Sequence, residues 1–174
     1  MNVTFDDLPP TARVWIYQAD RPLTDAELAA VEGPLAQFTA AWTSHGADLH
    51  AAAEFRHRQF LLIGLDEAVA GASGCSIDAS VRFVCELETA LAVHLLGKDH
   101  LAFAGPNGLA LLDRRALKAA VAAGTLRPTT PYFDNTVATK AEVDAQWPAP
   151  AERTWLARYF APAAEVPATG PALA

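Results

Sequence analysis

Cysteine is scarce in this chain: Cys75 and Cys85 are the only two among 174 residues, and they form no CxxC unit. That scarcity argues against a disulfide framework and against a zinc site built on paired thiolates. The histidines are scattered at positions 45, 50, 57, 94 and 100 with no HExxH pattern, so no metal and no other cofactor is expected. Positive charge is also short. Against 20 Asp and Glu stand 13 Lys and Arg, giving a net charge of −7, and the largest basic cluster is Arg56-His57-Arg58. Nucleic acid and anionic lipid are therefore disfavoured as partners. Long apolar runs are missing as well, none approaching the roughly 20 residues that cross a bilayer. Asp6-Asp7 stand where a signal peptide would carry positive charge and then an apolar core, so a cytoplasmic protein with no membrane contact is expected. Phosphate-loop chemistry is excluded too, because no lysine follows Gly74, and neither GxGxxG nor GxSxG occurs.

What is present suffices for a sizeable core: 52% of the residues are hydrophobic and 19% charged. One α+β domain is expected over 1–160, with a disordered Ala/Pro tail over 161–174. Alternation predicts a first strand over 12–18, with Val14 and Ile16 on one side and Arg13, Trp15 and Tyr17 on the other. Thr24 and Glu27 form a capping box that opens a helix with the stripe Leu28, Val31, Leu35, Phe38 and Trp42, bent at Gly33-Pro34. Two strands, 51–56 and 59–65, make a hairpin turning near His57-Arg58. The second is a continuous apolar run, as in strands buried on both faces.

A glycine loop and a long helix follow. Gly71 and Gly74 permit positive φ and hence a sharp turn. Ile77, Val81, Val84, Leu87, Leu91 and Leu95 supply one helical stripe, with Ser76 or Asp78 as N-cap and Cys85 in the core. Asp78, Arg82 and Glu86 fall four apart as a solvated ion-pair ladder. A strand over 101–104 would complete a ferredoxin-like βαββαβ core. Further on come the turn 105–108, a helix over 114–123 capped by Asp113, a tight turn at Asp134-Asn135, a second capping box at Thr139 and Glu142, and a last helix over 152–160. Together these make a C-terminal helix and hairpin extension, expected to bury the Arg13, Trp15 and Tyr17 face as a second core.

The loop is the candidate site. Gly71, Ser73, Gly74, Cys75, Ser76, Asp78 and Arg82 gather at a helix start, whose unpaired amides and dipole suit an anion and would lower the pKa of a thiol at Cys75. Asp78 works against the first use by occupying the same amides. Bases stacking on exposed Trp15 and Tyr17 are opposed by the net charge.

Three resemblances bear on function. Gly64-Leu65-Asp66-Glu67-Ala68 resembles the GxDEA opening of type 2 ribonuclease H enzymes, which would make Asp66 and Glu67 metal-binding carboxylates. The Gly-Arg-Gly that follows in that family is missing, and the strand is the third here rather than the first. The stretches VWIYQADRPLTDAEL, DEAVAGASGCSIDASVRF and FDNTVATKAEVDAQW resemble a family of small bacterial proteins of unknown function often labelled "ABC transporter ATPase". That label implies an LSGGQ signature and a Walker B aspartate; nothing offers the first, and 61–66 is only a loose echo of the second. Residues 117–123, Gly124, Leu126, Thr130 and Val137 are similar to GYF-type adaptor modules that bind proline-rich peptides, without the Gly-Tyr-Phe signature.

The reading that results is a non-catalytic binding or regulatory domain, with an unknown protein or a small anionic ligand as partner and self-association left open. The competing reading is a small enzyme using Cys75 as a reactive thiol or Asp66 and Glu67 as metal-binding carboxylates.

Overall fold

The computed structural model describes residues 3–106 and 108–160. Strand period assigns the side chains of β1 (Arg13–Gln18) to two cores, Val14 and Ile16 to one and Trp15 and Tyr17 to the other. The capping box then starts α1 (Asp25–Ala41): Thr24 Oγ1 accepts the Glu27 amide, and the Glu27 carboxylate accepts the Thr24 amide. Pro34 is carried inside this helix. After the helix, His45 (φ 51) and Gly46 (φ 83) close a ribbon of β2 (Thr43–Ser44) and β3 (Ala47–Asp48). Two successive positive-φ residues give a turn whose twist suits a hairpin.

The predicted hairpin of β4 (Ala51–Arg56) and β5 (Phe60–Leu65) turns at His57 (φ 49) and Arg58 (φ 60). β5 lies between β1 and β4 and is antiparallel to both, so every one of its residues is buried. β1 and β4 are therefore parallel with a strand between them, joined by α1 as the crossover.

The second long helix, α2 (Gly74–Leu91), lies with α1 over one face of this sheet, enclosing Val31, Leu35, Trp42, Leu61, Ile63, Val84 and Leu87. Phe38 and Phe83 stack at 4.2 Å across the two helices. The predicted stripe is rotated in its first half. Ser76 and Ser80 are buried in place of Ile77 and Val81, and Cys85 is exposed rather than in the core. Both hydroxyls are satisfied, donating to the Ser73 carbonyl (2.9 Å) and the Ile77 carbonyl (2.7 Å), so two small polar residues can be buried, and the indole of Trp42 donates to the Ser76 carbonyl (2.8 Å). The helix ends four residues before Leu95, with Ala92 in the left-handed conformation.

The strand expected to be the fourth of a ferredoxin-like sheet, β6 (His100–Gly105), is not part of the three-stranded first sheet. It pairs with β7 (Gly108–Asp113), a strand the sequence reading did not assign. Beyond α3 (Leu117–Ala122), β8 (Pro131–Tyr132) pairs with the other edge of β6; after α4 (Lys140–Gln146), β9 (Ala149–Pro150) completes a second sheet of order β7-β6-β8-β9. Residues 152–160 form 3-10 turns rather than one helix. Part of the place beside β1 is taken instead by residues 138–140, with Arg13 bridged to Thr139.

The last third does cover the first sheet, but over the opposite face from the one expected. Phe133, Val143 and Trp147, with Phe5 and Leu8 of the leader, pack on Val14, Phe60 and Leu62. Trp15 and Tyr17 go under the helices, Trp15 meeting Trp42 edge-on at 6.0 Å. The tail expected over 161–174 lies outside the described residues. Among those described, no helix is long and apolar enough to cross a membrane.

Candidate functional site

The loop residues singled out by sequence do come together at the start of α2. Gly71 and Gly74 are not among the positive-φ glycines, so the chain enters the helix without the sharp turn expected there. The N-cap is Ser73, three residues before the earlier of the two expected positions. Ser73 Oγ accepts the Ser76 amide (3.2 Å) and Ser76 Oγ accepts the Ser73 amide (2.8 Å), so two of the amides an anion would use are already bonded within the loop. Cys75 is exposed in the first turn. Among the described residues, Asp78, Arg82 and Glu86 form no ion pair, which corrects the expected ladder. Arg82 lines a groove of about 430 Å³ between α1 and α2, away from the loop.

Asp66 and Glu67 are engaged by separate neighbours and do not converge on one point. Asp66 Oδ1 accepts the Ala68 amide (3.0 Å), and Oδ2 lies 3.6 Å from His50 Nδ1. Glu67 pairs with Arg13 at 3.4 Å. Among the described residues, no group of three or more His, Cys, Asp and Glu side chains could hold a metal ion.

A larger concavity lies where β6 departs from β1. It measures about 720 Å³ and is bounded by β1, the 95–101 connection, Arg114, Tyr132, residues 135–138, Trp155 and Arg158. Its lining is one-sided: Arg13, Lys98, Arg114 and Arg158 contribute to it and no Asp or Glu does, although Arg13 is paired with Glu67 outside the lining. The cations are set on aromatic rings. The guanidinium of Arg13 lies 4.5 Å from the centre of the Trp15 ring, and those of Arg114 and Arg158 each lie 5.1 Å from that of Trp155. Trp155 is in turn fixed by its indole N–H, which donates to the Tyr132 hydroxyl (3.2 Å). Burial pushes the Tyr132 phenol up to about 12, so at neutral pH it adds no negative charge to the cleft. One end is closed by Asn135, which donates to Gln18 Oε1 (3.0 Å) and accepts the Trp147 indole N–H (3.3 Å).

Of the residues discussed from sequence, the β1 residues Arg13 to Tyr17 contribute to this cleft together with Leu95, His100, Leu101, Asn135 and Val137, the rings of Trp15 and Tyr17 being packed on the helix-covered core rather than open to solvent. Lys98, Arg114, Tyr132, Trp155 and Arg158 were missed. They come from four separate segments, and no local pattern joins them. No family model, no curated protein and no solved structure matches the chain.

Proposed function

We propose that this chain is a non-catalytic binding domain and that its ligand is an anion held in the cleft beside β1. The observation that carries the reading is the charge of that cleft: Lys98, Arg114 and Arg158 line it beside Arg13, which is itself paired with Glu67, and no carboxylate is in the lining, in a chain of net charge −7. Opposed to the field of the whole molecule, a one-sign concavity with apolar walls concentrates anions locally. The lining has one histidine, His100, and no serine, cysteine or carboxylate, and the hydroxyl of its one threonine, Thr136, donates to Asp134 (2.7 Å), which favours binding over catalysis. We read β1, α1, β4, β5 and α2 as a ferredoxin-like core that has released its fourth strand to the second sheet, and that release opens the cleft. The 71–76 loop stands as a subordinate anion site, limited to the Gly74 and Cys75 amides that the Ser73 and Ser76 cap leaves over.

Anilinonaphthalene sulfonate, a planar apolar anion, tests the reading. The dye is expected to saturate one site, and high salt should weaken it. A protein carrying both Arg114→Ala and Arg158→Ala should bind it roughly tenfold less tightly, the scale of lost charge-assisted contacts. Circular dichroism should be unchanged in that variant. Equal affinity of the folded variant and the parent would overturn the assignment.

A further inference from the structure

One wall of the cleft is a strand edge, and the inference from it rests on the anion-binding reading just given. In an antiparallel ladder the N–H and C=O of one residue point to the same side, and successive residues alternate. Val14 donates its amide away from β5 to the Ala138 carbonyl (2.8 Å), and the carbonyl of Ala12 accepts the Lys140 amide (2.9 Å) on that same outer side. Ile16 and Gln18 therefore also turn their peptide groups outward. Among the described residues, neither has a backbone partner there. The pairing with 138–140 stops at Val14, and the side chain of Gln18 donates to the His100 carbonyl (3.2 Å) at the other end. The uncovered edge between Val14 and Gln18 is about 13 Å long at a rise of about 3.3 Å per residue.

We infer that an acidic peptide segment in extended conformation adds to this edge as a further strand, its backbone paired with Ile16 and its carboxylates set against Lys98, Arg114 and Arg158. About three or four residues would lie in the contact at that rise. Peptide N–H and C=O groups match the uncovered edge, and in strand addition such main-chain bonds supply affinity while alternate side chains supply specificity. Charge selects the occupant. Cations without a carboxylate among them favour Asp and Glu side chains over neutral or basic ones. A second copy of this chain meets the repulsion between two molecules of net charge −7.

The test uses the full chain and three capped pentapeptides: acetyl-Glu-Val-Glu-Val-Glu-amide, the same peptide N-methylated at its three central residues so that amides on both sides of the strand are blocked, and the Lys-Val counterpart. The acidic peptide should bind and displace the sulfonate dye. Because its amides are needed, N-methylation should weaken it at least tenfold, and the Lys-Val peptide should not bind. Exchange of the Ile16 and Gln18 amides with solvent should slow in the complex. Equal binding of the N-methylated peptide, or unchanged Ile16 exchange in a saturated complex, would overturn strand addition. Dye binding that depends on Arg114 and Arg158 without any peptide binding leaves the anion cleft standing and removes the peptide. If neither dye nor peptide binds, both fall. Slowing of Ile16 exchange with rising protein concentration alone would assign the edge to a second copy and overturn the acidic-peptide inference.

Discussion

Gly64→Ala probes the layer that holds the first sheet against the leader. Gly64 sits in β5 opposite Val14 and Ala52, on the face shared with Phe60 and Leu62. A Cβ there would collide with the Leu8 side chain and stand 3.0 Å from the ring of Phe5, both residues being 2% exposed. Two effects compete. Replacing glycine restricts the unfolded chain and stabilises by about 0.4–1 kcal/mol where the backbone tolerates it, whereas overpacking a filled core costs about 1–3 kcal/mol. Leu8 and Phe5 are enclosed and have little room to move, so overpacking wins and the variant should lose roughly 1–2 kcal/mol. For a chain of this length that is a fall in Tm of about 2–8 °C. Urea denaturation followed by tryptophan fluorescence measures it. Leu8→Ala removes the obstructing side chain, so Gly64→Ala made in that background should cost at least about 1 kcal/mol less. A Gly64→Ala protein as stable as the parent, or costs that add with no coupling to Leu8→Ala, would refute the packing argument.

Three other perturbations read separate parts of the fold. Ser73→Ala removes the N-cap of α2 and should destabilise by about 0.5–2 kcal/mol in the same urea assay, whereas Asp78→Ala should have little effect. Hydrogen bonds from Arg21 and from Thr24 hold the Glu27 carboxyl down to about 2, below its ordinary 4.5. A depressed carboxylate stabilises the fold above its unfolded pKa and loses that contribution as pH falls from about 4.5 towards 2, so Glu27→Gln should flatten the acid limb of the stability curve. A limb of unchanged slope would contradict the role of the capping box. Finally, absorbance titration of the native protein should find the Tyr132 phenol ionising near pH 12, and Tyr132→Phe should remove that latest step.

Elements decided by neighbouring residues were legible from sequence. The capping boxes at Thr24 and Thr139 each need only two side chains, three residues apart, to reach each other's amides, and both formed as read. The apolar run of β5 declared a central strand, and it pairs on both sides. Errors arose where a distant partner decides. Ser76 and Ser80 are polar, yet they are buried, because their hydroxyls find backbone carbonyls, and the Ser76 carbonyl in turn accepts the Trp42 indole N–H. β6 had the right composition to complete the first sheet, but β7, a short apolar segment left unassigned, pairs with it along its whole length from His100↔Asp113 to Gly105↔Gly108. The cleft was illegible for the same reason. Arg13, Lys98, Arg114 and Arg158 line one space although they lie far apart in the sequence, and a formal charge of −7 conceals their grouping.

Crystals of the full chain soaked in selenate, a tetrahedral anion located by its anomalous scattering, would test the central claim most directly. The account predicts selenate within hydrogen-bonding distance of at least two of Lys98, Arg114 and Arg158, and its loss when Arg114→Ala and Arg158→Ala are combined. Selenate bound instead at the Gly74 and Cys75 amides, with the cleft empty at saturating concentration, would contradict it and return the site to the start of α2.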